Sequence, residues 1–168
     1  MAEHQDVVLV YLPMSQVNFP AMALSLFKAL LKNQGISSVV DYANMYFYQQ
    51  IGKEKYTIIT GSHCATMLGE CVFQPAAFPG KSIDWDGYYQ YILANPPIAE
   101  SRYLQKEELL ECQQAAIDFI EETAERIMSF SPKIVAIGTM FQQNNALFAL
   151  VKALRRRSSE LVILVGGC

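Results

Sequence analysis

Apolar residues along this chain come in two rhythms: short unbroken runs, and longer stretches with helical spacing. Val7–Leu12 reads VVLVYL, an apolar run with no polar interruption. Such a run predicts a strand buried on both faces, as in a parallel sheet. After the loop Pro13–Phe19, Pro20 suits a first helical position, with Asn18 just upstream as a cap. Leu24, Phe27, Leu30 and Leu31 then recur at helical spacing as far as about Gln34, and Gly35 is suited to end the helix. Ile36–Asp41 predicts a second strand. Strand, helix and strand with short turns make a right-handed βαβ unit.

The middle of the chain follows a different pattern. Asn44–Gly52 predicts a short helix carrying Tyr46, Phe47 and Tyr48. Residues 53–105 hold Trp85 and the tyrosines Tyr88, Tyr89 and Tyr91 among scattered glycines and prolines. So aromatic a stretch predicts an insert of short helices packed on one side of the sheet, not a linker.

Regular patterning then returns. Glu107–Phe130 reads as a long helix, with Leu109, Cys112, Ala116, Phe119, Thr123, Ile127 and Phe130 on one face. Glu108, Glu111, Asp118, Glu121, Glu122 and Glu125 make a solvated opposite face, and Ser131-Pro132 ends the helix. Lys133–Gly138 predicts a third buried strand. A helix capped by Asn144 or Asn145 follows, with the stripe Leu147, Leu150, Val151 and Leu154. Arg155, Arg156 and Arg157 in its last turn suit the helix dipole. Leu161–Val165 predicts a fourth strand, followed by Gly166-Gly167.

This order predicts an α/β fold: an open, doubly wound, flavodoxin- or Rossmann-like sheet. It would have about four mainly parallel strands, helices on both faces and the aromatic insert 53–105. Residues 1–168 are expected to form one domain, cut short at its C-terminus, because the sequence stops directly after a core strand.

Composition narrows the class. The chain has 168 residues, 52% of them hydrophobic and 17% charged, with a net charge of −3. That excludes disorder and argues against nucleic-acid or anionic-membrane binding. No apolar run approaches the ~18 residues of a membrane span, and MAEHQD lacks the features of a signal peptide. Cys64, Cys71, Cys112 and Cys168 include no Cys-x2-Cys pair, so neither a zinc knuckle nor a disulfide framework is expected. The reading is a cytoplasmic protein in a reducing compartment.

In doubly wound sheets ligands bind beyond the carboxyl ends of the strands. Three segments fall there: Pro13–Pro20, Thr139–Asn145 and Gly166-Gly167. Gly138 allows close approach of a ligand, and Thr139 offers a hydroxyl. Gln142, Gln143, Asn144 and Asn145 place four amides beside a helix N-terminus, more than a cap needs. Gly166-Gly167 would admit a flat group against the backbone. No Gly-x-Gly-x-x-Gly follows the first strand and no P-loop motif is present, which disfavours dinucleotide and P-loop phosphate sites. The histidines are His4 and His63. Met14, Met22, Met67 and Met140 read as packing groups rather than metal ligands.

These segments resemble the N-terminal cobalamin-binding domain of radical SAM C-methyltransferases that mature ribosomally synthesised peptides. The matching pieces are VVLVYLP at 7–13, FPAMALSLFKALLKNQGI at 19–36, MLGECVF at 67–73, IVAIGTMFQQNNALFALVKALRR at 134–156 and LVILVGGC at 161–168. The most specific are Gly69-Glu70, Phe141-Gln142-Gln143-Asn144 and Gly166-Gly167. The resemblance implies cobalamin across the carboxyl edge. Pro13, Met14, Ser15 and Gln16 would face the corrin from below. Thr139, Met140, Phe141, Gln142 and Gln143 would lie along the corrin or its nucleotide tail, with Gly166 and Gly167 beside that tail. The first loop holds no histidine, so it offers cobalt no imidazole. S-adenosylmethionine and a [4Fe–4S] cluster would belong to a further barrel, because the chain lacks Cys-x3-Cys-x2-Cys. The implied partner is a precursor peptide, and this chain alone would be inactive.

Two other readings stand beside it. One is a non-catalytic peptide-docking module, which needs Trp85, Tyr88 and Tyr89 exposed as a large apolar patch. The other is a small hydrolase using His63 with Cys64 or Ser62, which needs those side chains to converge.

Overall fold

The computed structural model describes residues 3–62, 64–95 and 103–167; His63 and Cys168 lie outside the described residues. Four strands, β1 (Val7–Tyr11), β2 (Ser38–Asp41), β3 (Ile134–Thr139) and β4 (Val162–Gly167), form one sheet in the order β2-β1-β3-β4. Every pairing is parallel. The chain winds outward from β1 to β2, then returns to β3 on the opposite side of β1. That reversal makes the sheet doubly wound and puts its switch point between the carboxyl ends of β1 and β3. The fold class is therefore the one the patterning predicts.

The helices are α1 (Met22–Asn33), α2 (Ala43–Ile51), α3 (Lys53–Gly61), α4 (Leu68–Ala77), α5 (Trp85–Ala94), α6 (Lys106–Met128) and α7 (Asn144–Arg157). Helices α3 to α5, with a 3-10 turn at Cys64–Thr66, make the expected helical insert. Alternation along the strands separates two faces. Val8, Val10, Val135 and Ile137 enter the main core with buried residues of α2, α3, α4, α6 and α7. Val7 and Leu9 enter a small second core with Ala21 and Leu24 of the α1 segment, and Ile134 and Ala136 pack against it.

Helices thus cover the two faces unequally. Helix α1 packs on β1 and β2, while Val162 and Leu164 of β4 stay 48% and 53% exposed. The α1 stripe splits accordingly: Leu24 is buried and Leu31 partly so, but Phe27 and Leu30 are exposed. Helix α1 also starts later than expected. Pro20 belongs to the preceding turn, where its carbonyl accepts from the Met22 N–H at 2.9 Å. Ala21 is the N-cap residue, and no side chain caps the helix.

Helix α6 begins with a capping box between Gln105 and Glu108. Its outer acids stay at the surface, and Glu121 pairs with Arg156 and Arg157 of α7. At the last residue of β2, the buried Asp41 carboxylate takes both arms of Arg126, at 2.7 and 3.0 Å. Such a two-armed pair satisfies a buried charge. The same guanidinium lies 3.9 Å from the centre of the Tyr46 ring. The main core centres on Phe47, which is fully buried and packed against the rings of Tyr56, Phe73 and Phe119.

Phe47→Ala should cost about 3–5 kcal/mol through lost burial and a residual cavity. Phe27→Ala should change stability by no more than about 0.5 kcal/mol. Urea unfolding of both variants checks this, and equal losses would contradict the assigned core.

Candidate functional site

Two loops meet at the switch point: the one after β1 and the short turn between β3 and α7. Gln143 joins them. Its side chain is buried, and Nε2 donates to Pro13 O at 2.8 Å, Ser15 Oγ at 2.7 Å and, more weakly, Leu12 O at 3.3 Å. Its Oε1 accepts the Met140 N–H at 2.7 Å. From α3, Tyr56 donates its hydroxyl to Ser15 O at 2.7 Å, and burial pushes that phenol well above its ordinary range. Pro13, Met14 and Ser15 are all buried.

Gln142 carries the second connection. Its Oε1 accepts the Gly69 N–H at 2.8 Å, which ties the β3 turn to the start of α4. Gln142 and Met14 both adopt left-handed backbone, with φ of 64° and 68°. Gly69 fits closely between them. A Cβ there would lie 2.7 Å from Gln142 O and 3.0 Å from Met14 Cγ. Only glycine lets α4 approach this closely.

Glu70 makes the third connection. Its two carboxylate oxygens accept the N–H groups of Asn144 and Asn145 at 3.0 and 2.7 Å. Asn145 Nδ2 donates in return to Glu70 O at 2.9 Å. The capping expectation is corrected here. Asn144 and Asn145 lie inside the first turn of α7, Gln143 is the N-cap residue without a side-chain cap bond, and Glu70 serves the free N–H groups instead.

The opposite side of the same edge is open. Gly138 and Gly166 sit side by side in the β3–β4 register, next to Tyr11 of β1. Gly138 shares the parity of Ile134 and Ala136, so this row belongs to the α1 face. A Cβ built on either glycine meets nothing within 4 Å. Gly167 is different, because a Cβ there would lie 2.0 Å from Thr139 O. Both glycines continue β4 rather than forming a loop after it, because their backbone extends the ladder to Gly138 and Thr139. Met140 and Phe141, which follow β3 directly, stand 61% and 58% exposed.

The residues singled out in the sequence therefore divide. Pro13, Met14, Ser15, Gln142 and Gln143 form an internal clasp whose polar side chains are engaged. Gln16, Thr139, Met140, Phe141, Gly166 and Gly167 remain accessible to a ligand. Tyr56 had no sequence signal of its own; its partner Ser15 is 41 residues away.

Trp85, Tyr88 and Tyr89 do not form the solvent-facing patch that the docking reading asks of them. Trp85, Tyr88 and Tyr89 pack on one another and are half-buried. Tyr88 donates to Thr66 O and Tyr89 to Leu104 O, each at 2.9 Å, and burial pushes the Tyr89 phenol up to about 12. Ser62 Oγ donates to Ile59 O and accepts from Thr66 Oγ1. His63, the proposed base of the hydrolase reading, lies outside the described residues. Among those residues, no group of three or more His, Cys, Asp or Glu side chains is placed to hold a metal ion. No described helix is long and apolar enough to cross a membrane.

Fold and edge together define an open, doubly wound α/β domain with two open glycines at its carboxyl edge. No known protein-family model matches the chain, and comparisons with curated proteins and with solved structures return no match.

Gly69→Ala should destabilise by about 1–3 kcal/mol, because the new methyl meets backbone rather than a movable side-chain tip. Gly138→Ala, made into open space, should cost less, and chemical denaturation compares the two. Burial pushes the thiols of Cys71 and Cys112 up to about 11, whereas Cys64 is exposed. In a Cys168→Ser background at pH 8, a disulfide reagent should therefore label Cys64 rapidly and the other two only on unfolding. Rapid reaction of three thiols in the native state would contradict this burial.

Proposed function

We propose that this chain is the cobalamin-binding domain of a cobalamin-dependent radical SAM C-methyltransferase acting on a ribosomally synthesised peptide. The observation that carries the reading is the open strip of Gly138 and Gly166 at the carboxyl ends of β3 and β4. A large flat ligand needs backbone it can lie against, and paired glycines supply it. The sequence resemblance supplies the identity of that ligand.

The residues present fit such a group. Gly138 and Gly166 would take its flat surface, and Thr139 would offer a hydroxyl at the strip's end. Met140 and Phe141 would cover apolar parts of the ligand, and Gln16 would meet it from the first loop. The clasp would hold both loops still, so that little ordering is left to be done on binding. Pro13–Val17 holds no histidine, so the first loop would offer cobalt no imidazole. When bound, cobalamin supplies methyl-transfer chemistry. S-adenosylmethionine, its [4Fe–4S] cluster and the precursor peptide belong to a further catalytic domain in this reading, so this chain alone is inactive.

The test is to incubate the protein with hydroxocobalamin, desalt it and record the visible spectrum. Retained corrin absorbance is expected. Gly138→Val and Gly166→Val should each weaken retention about fivefold or more, the effect of ~1–3 kcal/mol of overpacking, while circular dichroism stays unchanged. No retention by the wild-type chain rejects the reading. Undiminished retention by both valine variants rejects the strip as the site.

A further inference from the structure

Helix α1 carries more apolar surface than its own sheet uses. Leu24 is buried and Leu31 partly so, on the side that meets β1 and β2. Met22, Leu26, Phe27 and Leu30 of the same helix are 52–76% exposed. A step of about 100° per residue puts Phe27 and Leu30 on one flank and Met22 and Leu26 on the outer face. Ser25, Lys28 and Lys32 fall together on the other flank. In a right-handed crossover from β1 to β2, the apolar flank is the one turned toward β3 and β4. A helix apolar on so many sides is ordinarily a covered one. Beside it lies a bare floor. Among the described elements no helix packs on that side of β4, where Val162 and Leu164 are half-exposed. Two strands at ~4.8 Å spacing make a floor about as wide as one helix, ~10 Å. Ridge and floor thus sit side by side on one face.

We infer that this face binds a second copy of the chain, with α1 of each copy lying on β3 and β4 of the other. One two-fold axis along the strands makes both contacts at once, so the face is complementary to itself. The two helices then run side by side between two sheets and meet through Phe27 and Leu30. Met22 and Leu26 of one copy cover Val162 and Leu164 of the other. None of these six side chains is charged, and Lys28 and Lys32 stay in water on the far flank. The six expose roughly 600 Å² on each copy, and the floor's backbone brings the face toward the ~800 Å² per partner of a standard interface. An interface at the lower end of that range makes a dimer of micromolar affinity that forms and dissociates. The inference goes beyond the cobalamin reading, and its test involves no corrin.

Sedimentation equilibrium of the full chain, from about 1 to about 200 µM, reads the association. The mass should rise from the 18.9 kDa of one chain to twice that value. Leu26→Lys and Leu164→Lys each put a charge into the contact and should weaken association about tenfold or more. Both side chains are exposed in the single copy, so circular dichroism should not change. Leu93→Lys, on α5 and equally exposed, should associate like the wild type. In a Cys64→Ser, Cys168→Ser background, Leu30→Cys should form an interchain disulfide on oxidation and Lys32→Cys should not. A wild-type chain that stays monomeric at the highest concentration overturns the inference, and so does a dimer that both lysine variants leave intact. If the lysine variants do not fold, the Leu30→Cys cross-link decides, and a dimer that does not form it overturns the inference.

Discussion

The carboxyl edge of this domain depends on one buried amide. Gln143 has no contact with solvent to fall back on, so each of its polar atoms must find a partner inside the protein. It finds them on both sides of the switch point: carbonyls and a hydroxyl from the β1 loop, and an N–H from its own turn. A buried amide that lost those partners would cost on the order of 1–3 kcal/mol. That penalty makes the two loops a single rigid object. It also helps to offset the left-handed backbone at Met14 and Gln142, each of which costs on the order of 1 kcal/mol.

The unequal covering of the sheet gives the edge its division of labour. On the main face, α3 and α4 come close enough for Tyr56, Gly69 and Glu70 to reach into the loops and hold them. On the other face α1 lies over β1 and β2, and Gly138 of β3 and Gly166 of β4 are left as open backbone. Rigidity comes from one side of the sheet and access from the other. Gln143 could not serve both purposes, since a side chain with every polar atom engaged has nothing left for a ligand.

Much of the fold was legible because it rests on local rules. Unbroken apolar runs marked the parallel strands, and helical spacing marked α6 and α7 to within a few residues. The Gly-Gly pair was also legible as a feature of the ligand edge, since its position follows from the strand before it. The roles of the amides were not. Four consecutive Gln and Asn residues look alike in sequence, yet Gln143 faces inward, Gln142 faces α4, and Asn144 and Asn145 offer backbone N–H groups. What separates them is the φ of 64° at Gln142 and the arrival of Glu70 from 74 residues upstream. Neither is a property of the local sequence. Pro20 misled for a related reason: it satisfies the local rule for a helix start, but the chain needs it in the turn that brings Ala21 down onto the sheet.

The distances along the chain between the clasped residues also set an order of assembly. Gln143 meets Pro13 across 130 residues, and Gly69 meets Gln142 across 73. Such contacts carry a large loop-closure entropy and form late, after the local helices that border them. While the chain is being synthesised, β1 and β2 can pair and α4 can coil, but the clasp has no partner until Asn145 has been made. The edge that would receive a ligand is thus the youngest part of the molecule. Until it closes, the β1 loop carries unpaired carbonyls at Leu12 and Pro13, and this is the interval in which a nascent chain is most exposed to mispairing.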